Sequence, residues 1–472
     1  MSKRRRIFMV VISGALALNM AIGLQVYSDI VREAGEEDGY ERVKQFISVL
    51  KLIQKNYVDD SQVDYENLVY GALRGMLSSL DDFSSFIPPD EYKNMIEETE
   101  GEFGGIGVII KLKEKTVNGV KKDILTIVMP MSGSPGARAG LRANDEIVKV
   151  DGVDTIDLEF KESIKRIKGE PGTNVELTVY RPTTEETLPL TIERAMIEIG
   201  TVKDAHLIED GIAYVNISQF NDKTPGNLQD ALAELTETEL RALIIDLRNN
   251  PGGLLNAAID VSSMFIPKRK LIVFTEGNKR TQRQDFSSLP GTKHRGFPIA
   301  ILINEGSASG AEIVAGCLQD YNRAILIGEK SYGKGSVQSI IELDDGSAIR
   351  LTTSKYYTPS ERVIHGNGIA PDFVVDISDE DSHRMHIQLS RFDGMPRDPE
   401  DPPDIADEQL KEALAVLKDI LAKVRGGGKD FSIIIAQIRE IQRARAPGDE
   451  QERTKTAKSG KATDSLSLPD KK

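Results

Sequence analysis

The sequence predicts a multidomain α+β protein: an N-terminal helical segment, a compact β-domain, and an α/β core with C-terminal helices. Three observations lead there. The chain has 472 residues, too many for one hydrophobic core. Its 39% hydrophobic and 28% charged residues are ordinary for globular proteins, which excludes fibrous, collagen-like and wholly disordered chains. The residue texture also changes twice, from helical spacing to glycine-punctuated strands, then to strands alternating with helices. These changes divide the chain into 1–30, 40–98, 99–184, 185–378, 379–445 and 446–472. No internal repeat is evident.

The first segment carries Lys3, Arg4, Arg5 and Arg6 ahead of an apolar run from Ile7 to Val26. Such a run is either a signal peptide or one membrane helix of about 20 residues, with its basic end cytoplasmic. Either reading exports the body to the periplasm or extracytoplasmic face, anchored to the membrane if the segment is retained. Against its four cations stands only Asp29, a net +3, so the rest of a chain of net charge −14 carries −17. An acidic body argues against nucleic-acid binding. The one cysteine, Cys317, excludes an intrachain disulfide and a cysteine zinc site.

Val43, Ile47, Leu50, Ile53 and Tyr57 recur at helical spacing, as do Leu68, Ala72, Met76 and Leu80. They predict a small helical unit that packs on itself or forms a dimer contact. Pro88 and Pro89 stop it, and Asp90 is placed to cap a short helix after them. Strands are expected at 106–110, 124–128, 146–150 and 175–180, separated by Gly133, Gly136, Gly140, Gly152 and Gly172. In the core, Ala242–Leu247, Ile299–Ile303 and Ala324–Ile327 read as buried strands, the first two leading through turns into helices. Leu410, Leu414, Leu417 and Leu421 mark an amphipathic helix, broken by Gly426–Gly428 before a second one at 431–441. The polar tail from Ala446 predicts disorder.

Three short segments carry chemistry. In NEGSASGAEIVAG, 304–316, a strand ends, small residues turn and a helix begins at Ser309. A hydroxyl there sits at the positive end of the helix dipole beside unpaired N–H groups, surroundings suited to a nucleophile. On this segment alone, the favoured reading is that Ser307 or Ser309 simply caps the helix. A serine nucleophile needs a base. His206, His294, His365, His383 and His386 all lie in polar or loop-like sequence; His383 and His386 share a helix face but have no third metal ligand. Lys334, between Gly333 and Gly335, is the better base, because burial favours its neutral amine. Gln338 comes four residues later, placed to orient that amine. The match of Gly328, Gly333 and Lys334 to a phosphate-binding loop fails at Gly335 and at the strand-like SVQSIIEL beyond it. Finally, DLRNNPGGLL, 246–255, ends a strand in a glycine turn whose N–H groups are candidate oxyanion donors.

Together these segments resemble the carboxyl-terminal processing peptidases, or tail-specific proteases, over residues 40–376. The resemblance implies Ser309 as nucleophile, Lys334 as general base and Gln338 as the residue that positions it. It implies an oxyanion hole from the N–H of Gly310 and that of Gly252 or Gly253. The usual motif has Ala-Ser where this chain has Gly310-Ala311, which keeps the backbone donor. The glycine-rich unit resembles a PDZ domain through SPGARAGLRANDEIVKVDG, 134–152, with Asn144 where glycine is usual. Its carboxylate loop would be Gly104, Gly105, Ile106 and Gly107, with Lys168 holding the peptide. The implied protein is an exported serine endopeptidase that captures free, apolar C-terminal tails of protein substrates and needs no metal or other cofactor. It associates with the membrane through its first segment and with a second copy through its terminal helices. The other reading is a catalytically inactive PDZ adaptor of the cell envelope.

Overall fold

The computed structural model describes residues 37–445 except 60, 62, 118–119, 210, 238–239, 279–282, 290–295, 391–400 and 428–429. The apolar leader, His294 and the polar tail lie outside the described residues. The chain forms two compact units that meet in sequence at Pro88 and Pro89.

The first unit holds α1 (Glu37–Asn56), α2 (Tyr65–Ser78) and β1 (Ser85–Ile87). Asp64 caps α2 by accepting the Asn67 N–H at 2.8 Å. Tyr70 and Phe86 pack ring to ring, 4.6 Å between centroids. The apolar stripe of α1 does not pack as a self-contained helical unit would require: Val43 is 58% exposed and Ile47 45%.

The second unit opens with α3 (Pro89–Glu100), so this helix groups with the β-domain and core rather than with residues 40–88. Pro89 takes the first helical position, where its missing N–H costs nothing, and Asp90 sits inside the first turn rather than at the cap. The β-domain contains β2 (Glu102–Gly105), β3 (Val108–Val117), β4 (Val120–Pro130), β5 (Glu146–Val150), β6 (Val153–Asp154), β7 (Asn174–Arg181), β8 (Glu186–Glu193) and β9 (Ala195–Glu198). Helices α4 (Pro135–Arg138) and α5 (Phe160–Ile167) complete it. Its antiparallel sheet runs β3-β4-β5-β7-β8, with β3 at an edge. Ile127, Ile147, Val150, Val175 and Val179 are wholly buried in its core. Two expectations are corrected here. The strand expected at 106–110 is interrupted, because Gly107 takes a φ of +67° and turns the chain between β2 and β3. The domain also runs past residue 184, since β8 continues the sheet to Glu193.

The core contains β10 (Val202–Glu209), β11 (Ile212–Ile217), α6 (Thr224–Thr236), β12 (Ala242–Asp246), α7 (Leu255–Ser263), β13 (Leu271–Gly277), β14 (Gln284–Ser287) and β15 (Ile299–Ile303). It continues with α8 (Gly310–Asp320), β16 (Ala324–Gly328), β17 (Ser336–Glu342), β18 (Ala348–Tyr357), β19 (Phe373–Val374) and α9 (Asp379–Ser390). The main sheet runs β10-β11-β12-β15-β16-β19, parallel except for β10. Both faces are covered, which explains the unbroken apolar runs. Val215, Leu243, Ile301 and Leu326 face α6, α7 and α8. Ile244, Leu302 and Ile327 face α10 (Glu408–Gly427) and α11 (Phe431–Arg445). The α10 stripe expected at a subunit contact is therefore buried within the molecule: Leu417 and Ile420 are 0% exposed.

Buried charges fasten these last helices. Arg248 donates to Asp246 at 2.6 Å and to Asp407, just before α10, at 2.7 Å. Arg439 on α11 donates to Asp372 at 2.6 Å. A separate antiparallel ribbon pairs β14, β13, β18 and β17 in that order.

Candidate active site

Parallel strands place their carboxyl ends on one edge, where ligand crevices form. Here β12, β15 and β16 are neighbours in register, and each of the three chemical motifs comes directly after one of them. Topology alone thus gathers segments that lie far apart in sequence.

After β15 the Ser307 hydroxyl donates to Leu247 O at 2.7 Å and accepts the Asn304 N–H at 3.0 Å, tying this turn to the one after β12. Asn304 Oδ1 also accepts the Asn249 N–H at 2.8 Å. Ser307 is therefore structural. Ser309 precedes α8 with φ 53° and ψ −112°, a conformation that costs an L-residue on the order of 1–3 kcal/mol. It is 8% exposed, and its N–H donates to Glu312 Oε2 at 2.9 Å.

The turn after β12 closes on the serine. Gly252 has φ +97°, and a Cβ on it would lie 2.6 Å from Ser309 Cβ and 2.8 Å from Gly310 N, so no larger residue fits. Its own N–H donates to Asn250 Oδ1 at 2.8 Å. Among the described residues, no acceptor is bonded to the N–H of Gly253 or of Gly310. A side chain at Gly310 would press on the Phe220 ring at 3.1 Å, which accounts for glycine there.

The lysine loop comes after β16. Gly333 has φ +92°, and a Cβ on Gly335 would lie 2.2 Å from His365 N, so both flanking glycines serve close backbone approach. His365 meets this loop through that backbone contact. The Lys334 amine is half-buried. Burial, and secondly the charge of Arg350, hold its proton affinity below the ordinary lysine value. Gln338, on β17, donates to Ser336 Oγ at 2.9 Å and to Thr352 Oγ1 at 3.4 Å.

Glu312 joins the two motifs. Its fully buried carboxylate accepts the N–H of Ser309 at 2.9 Å, of Gly333 at 2.8 Å and of Lys334 at 2.9 Å, and the Ser331 hydroxyl at 2.5 Å. Burial raises its proton affinity, and these four bonds oppose that rise. Sequence reasoning missed Glu312, although the Ser-x-x-Glu spacing of a capping box was present. It also missed Tyr356, which no sequence signal marks. The Tyr356 hydroxyl is a hydrogen-bond partner of the Ser309 side chain, and burial pushes it up to about 12. Its N–H donates to Gly335 O at 2.7 Å.

The β-domain residues form a separate group. Gly104 and Gly105 lie on β2, paired with β9, and Gly104 O accepts the Gly169 N–H at 3.1 Å. Ile106 is buried in the domain core, while Gly107 O accepts the Met131 N–H at 2.9 Å and the Ser134 hydroxyl at 2.8 Å. Lys168 pairs with Glu97 on α3 at 2.9 Å and lies 4.5 Å from the Phe103 ring centre. Asn144 has φ +67°, a conformation asparagine tolerates in place of the usual glycine. Among the described residues, no three His, Cys, Asp or Glu side chains converge as metal ligands.

Known proteins match this arrangement. The family model described as Peptidase family S41 matches residues 211–375, and a PDZ domain model matches 126–181. A model described as the activating protease CtpB N-terminal domain matches 23–89. A carboxy-terminal-processing protease of Bartonella bacilliformis is 36% identical over 84% of this chain and 93% of its own. A carboxyl-terminal-processing protease of Synechocystis is 34% identical over 80% of this chain and 89% of its own. The solved structure of a photosystem II D1 C-terminal processing protease is 27% identical, covers 70% of this chain and 92% of its own, and has a TM-score of 0.39. Strand-end turns that meet at a strained serine, a PDZ domain and relatives similar over nearly their whole length agree: the chain belongs to the carboxy-terminal-processing proteases, PDZ-containing serine peptidases of family S41.

Proposed function

We propose that the enzyme is an exported endopeptidase that cuts protein substrates near their C-termini with a Ser309–Lys334 pair. The observation that carries this reading is the shared carboxylate of Glu312, which binds the backbone of both residues. The neutral Lys334 amine takes the Ser309 proton as Oγ attacks the scissile carbonyl carbon. The N–H groups of Gly310 and Gly253 receive the oxyanion, Gly252 being bonded to Asn250 instead. Lys334 passes its proton to the leaving amine, which departs with the C-terminal fragment. Water then gives a proton to Lys334 and attacks the acyl-enzyme, and the proton returns to Ser309. Gln338 positions the amine.

The β-domain captures the tail. Its edge strand β3 is open to an added strand, and the turn at Ile106 and Gly107, which follows Gly104 and Gly105 at the end of β2, supplies N–H donors for the terminal carboxylate, with Lys168 nearby. Residues 1–30 export the chain and hold it at the membrane on the extracytoplasmic side. The exposed stripe of α1 is the surface for a second copy. We place the gate in the β-domain, so deletion of 102–182 changes which tails are cut.

The test uses a peptide with a free apolar C-terminus. Ser309→Ala and Lys334→Ala each lose at least ~10²-fold in rate. Full activity in either variant removes the pair from the mechanism.

A further inference from the structure

We propose that the β-domain reads a second side chain of the captured tail, a large apolar or aromatic residue four positions before the last, in a cavity between the far half of β3 and the start of α5. This deepens the capture of tails by the β-domain and rests on that reading.

Strand alternation carries the argument. A tail whose carboxylate meets the turn at Ile106 and Gly107 places its last residue beside Val108, the first residue of β3, and runs antiparallel to that strand. The residue four positions before the last then stands opposite Leu112, about 14 Å along the strand. Val108, Ile110 and Leu112 share one face, because the irregularity in the β3–β4 ladder puts its extra residue on β4 and leaves β3 unbroken. Val108 and Ile110 pack against the domain core, whereas Leu112 is 44% exposed. Next on that face comes Glu114, paired with Lys121 at 2.7 Å, so the apolar row offers a single place beyond the core.

That place is hollow. A cavity of about 400 Å³ is lined by Leu112 and its cross-strand partner Leu125, by Ile156 in the single helical turn before α5, and by Phe160 and Ser163 on α5. Leu125 and Ser163 are buried and form its floor, while Ile156 and Phe160 are 39% and 38% exposed. Leu112, Ile156 and Phe160 thus come from three elements and stay exposed around one opening. The opposite face of the same strand differs: it carries Lys113 and Lys115, and Lys115 pairs with Glu146 at 2.8 Å. Continuity names the occupant. The cavity borders the edge of β3, which among the described residues pairs only with β4. A tail laid on that edge turns the side chain opposite Leu112 into the cavity. An apolar side chain there leaves water, whereas a carboxylate would lose its hydration.

The experiment measures peptide binding by fluorescence anisotropy to the full chain carrying Ser309→Ala, so that nothing is cut. Short fluorescein-labelled peptides end in Ser-Ala-Ala-Val and carry Phe, Ala or Asp just before that ending. The Phe peptide binds about five-fold more tightly than the Ala peptide and about ten-fold more tightly than the Asp peptide. Leu112→Asp and Ile156→Asp, on separate elements, each remove the preference for Phe. Lys113→Asp, on the opposite face of β3, keeps it. Moving Phe one residue along the peptide abolishes the gain, since the side chain then points away from the cavity. No preference for Phe, a preference that both cavity variants leave intact, or one that survives the one-residue shift overturns the proposal. Amidating the peptide separates this failure from that of the parent reading. An amide that binds as tightly as the free acid overturns the carboxylate capture and with it the register used here. A peptide that needs its carboxylate yet ignores the residue four before the last overturns this inference alone.

Discussion

The serine and lysine halves of the site are built on different principles. Ser309 stands among residues of zero exposure, against a glycine that admits no side chain, in a backbone conformation held by the surrounding core. Lys334 stands on a loop leading into a hairpin whose Ile340 and Ile341 are 40% and 45% exposed. Its loop is joined to the serine half by hydrogen bonds, from the Lys334 N–H to the Glu312 carboxylate at 2.9 Å and from the Tyr332 N–H to Ser307 O at 3.0 Å. Ser309 is thus fixed by packing, and Lys334 hangs from a hydrogen-bonded pivot. Packing has one solution, whereas a pivot permits motion.

The largest effect tests the packed half. Gly252→Ala puts a methyl group 2.6 Å from Ser309 Cβ at a positive φ, so kcat/KM falls by ~10²-fold or more while circular dichroism stays native. Near-wild-type turnover would mean that the nucleophile turn yields, and the contrast would be lost. Next is the pivot. Glu312→Gln replaces one of two acceptor oxygens with a donor that faces N–H groups. We expect about a ten-fold loss of kcat and about 2 kcal/mol of stability, the latter measured by urea unfolding. Loss of stability without loss of kcat would make Glu312 a helix cap only.

Smaller effects sharpen the comparison. Tyr356→Phe removes the hydroxyl partner of Ser309 and alters kcat by about three-fold, readable in single-turnover assays. The smallest effect concerns stability against pH. Lys334 binds its proton less tightly folded than unfolded, so the unfolded chain holds more protons between the folded pKa and the ordinary 10.5. Stability therefore rises with pH across that window and is lower beneath it. Lys334→Met removes the rise and melts slightly higher at pH 7, though inactive; a variant that melts lower would show that the amine is stabilising.

Much of the fold and site was legible in the sequence, for definite reasons. The core strands are buried on both faces, so Ile299–Ile303 and Ala324–Ile327 stand out as apolar runs between turn residues. Ser309 and Lys334 stand out because small residues and glycines frame them. Glu312 does not, since a glutamate in the first turn of a helix ordinarily faces water, and only the fold shows its four donors. Tyr356 escapes because alternation along β18 tells which residues share a face, not what that face meets. The period of α1 and that of α10 look alike, yet one stripe is exposed and the other buried. Spacing specifies a helix and leaves its partner open.

The buried link from Arg248 to Asp407 also bears on timing. Arg248 begins the turn that ends in Gly252 against Ser309, and its second carboxylate arrives only with the start of α10. A chain emerging amino end first thus lacks the brace for that turn until nearly all of it has been delivered. The brace on that turn is thus completed only by a residue 159 positions further along the chain.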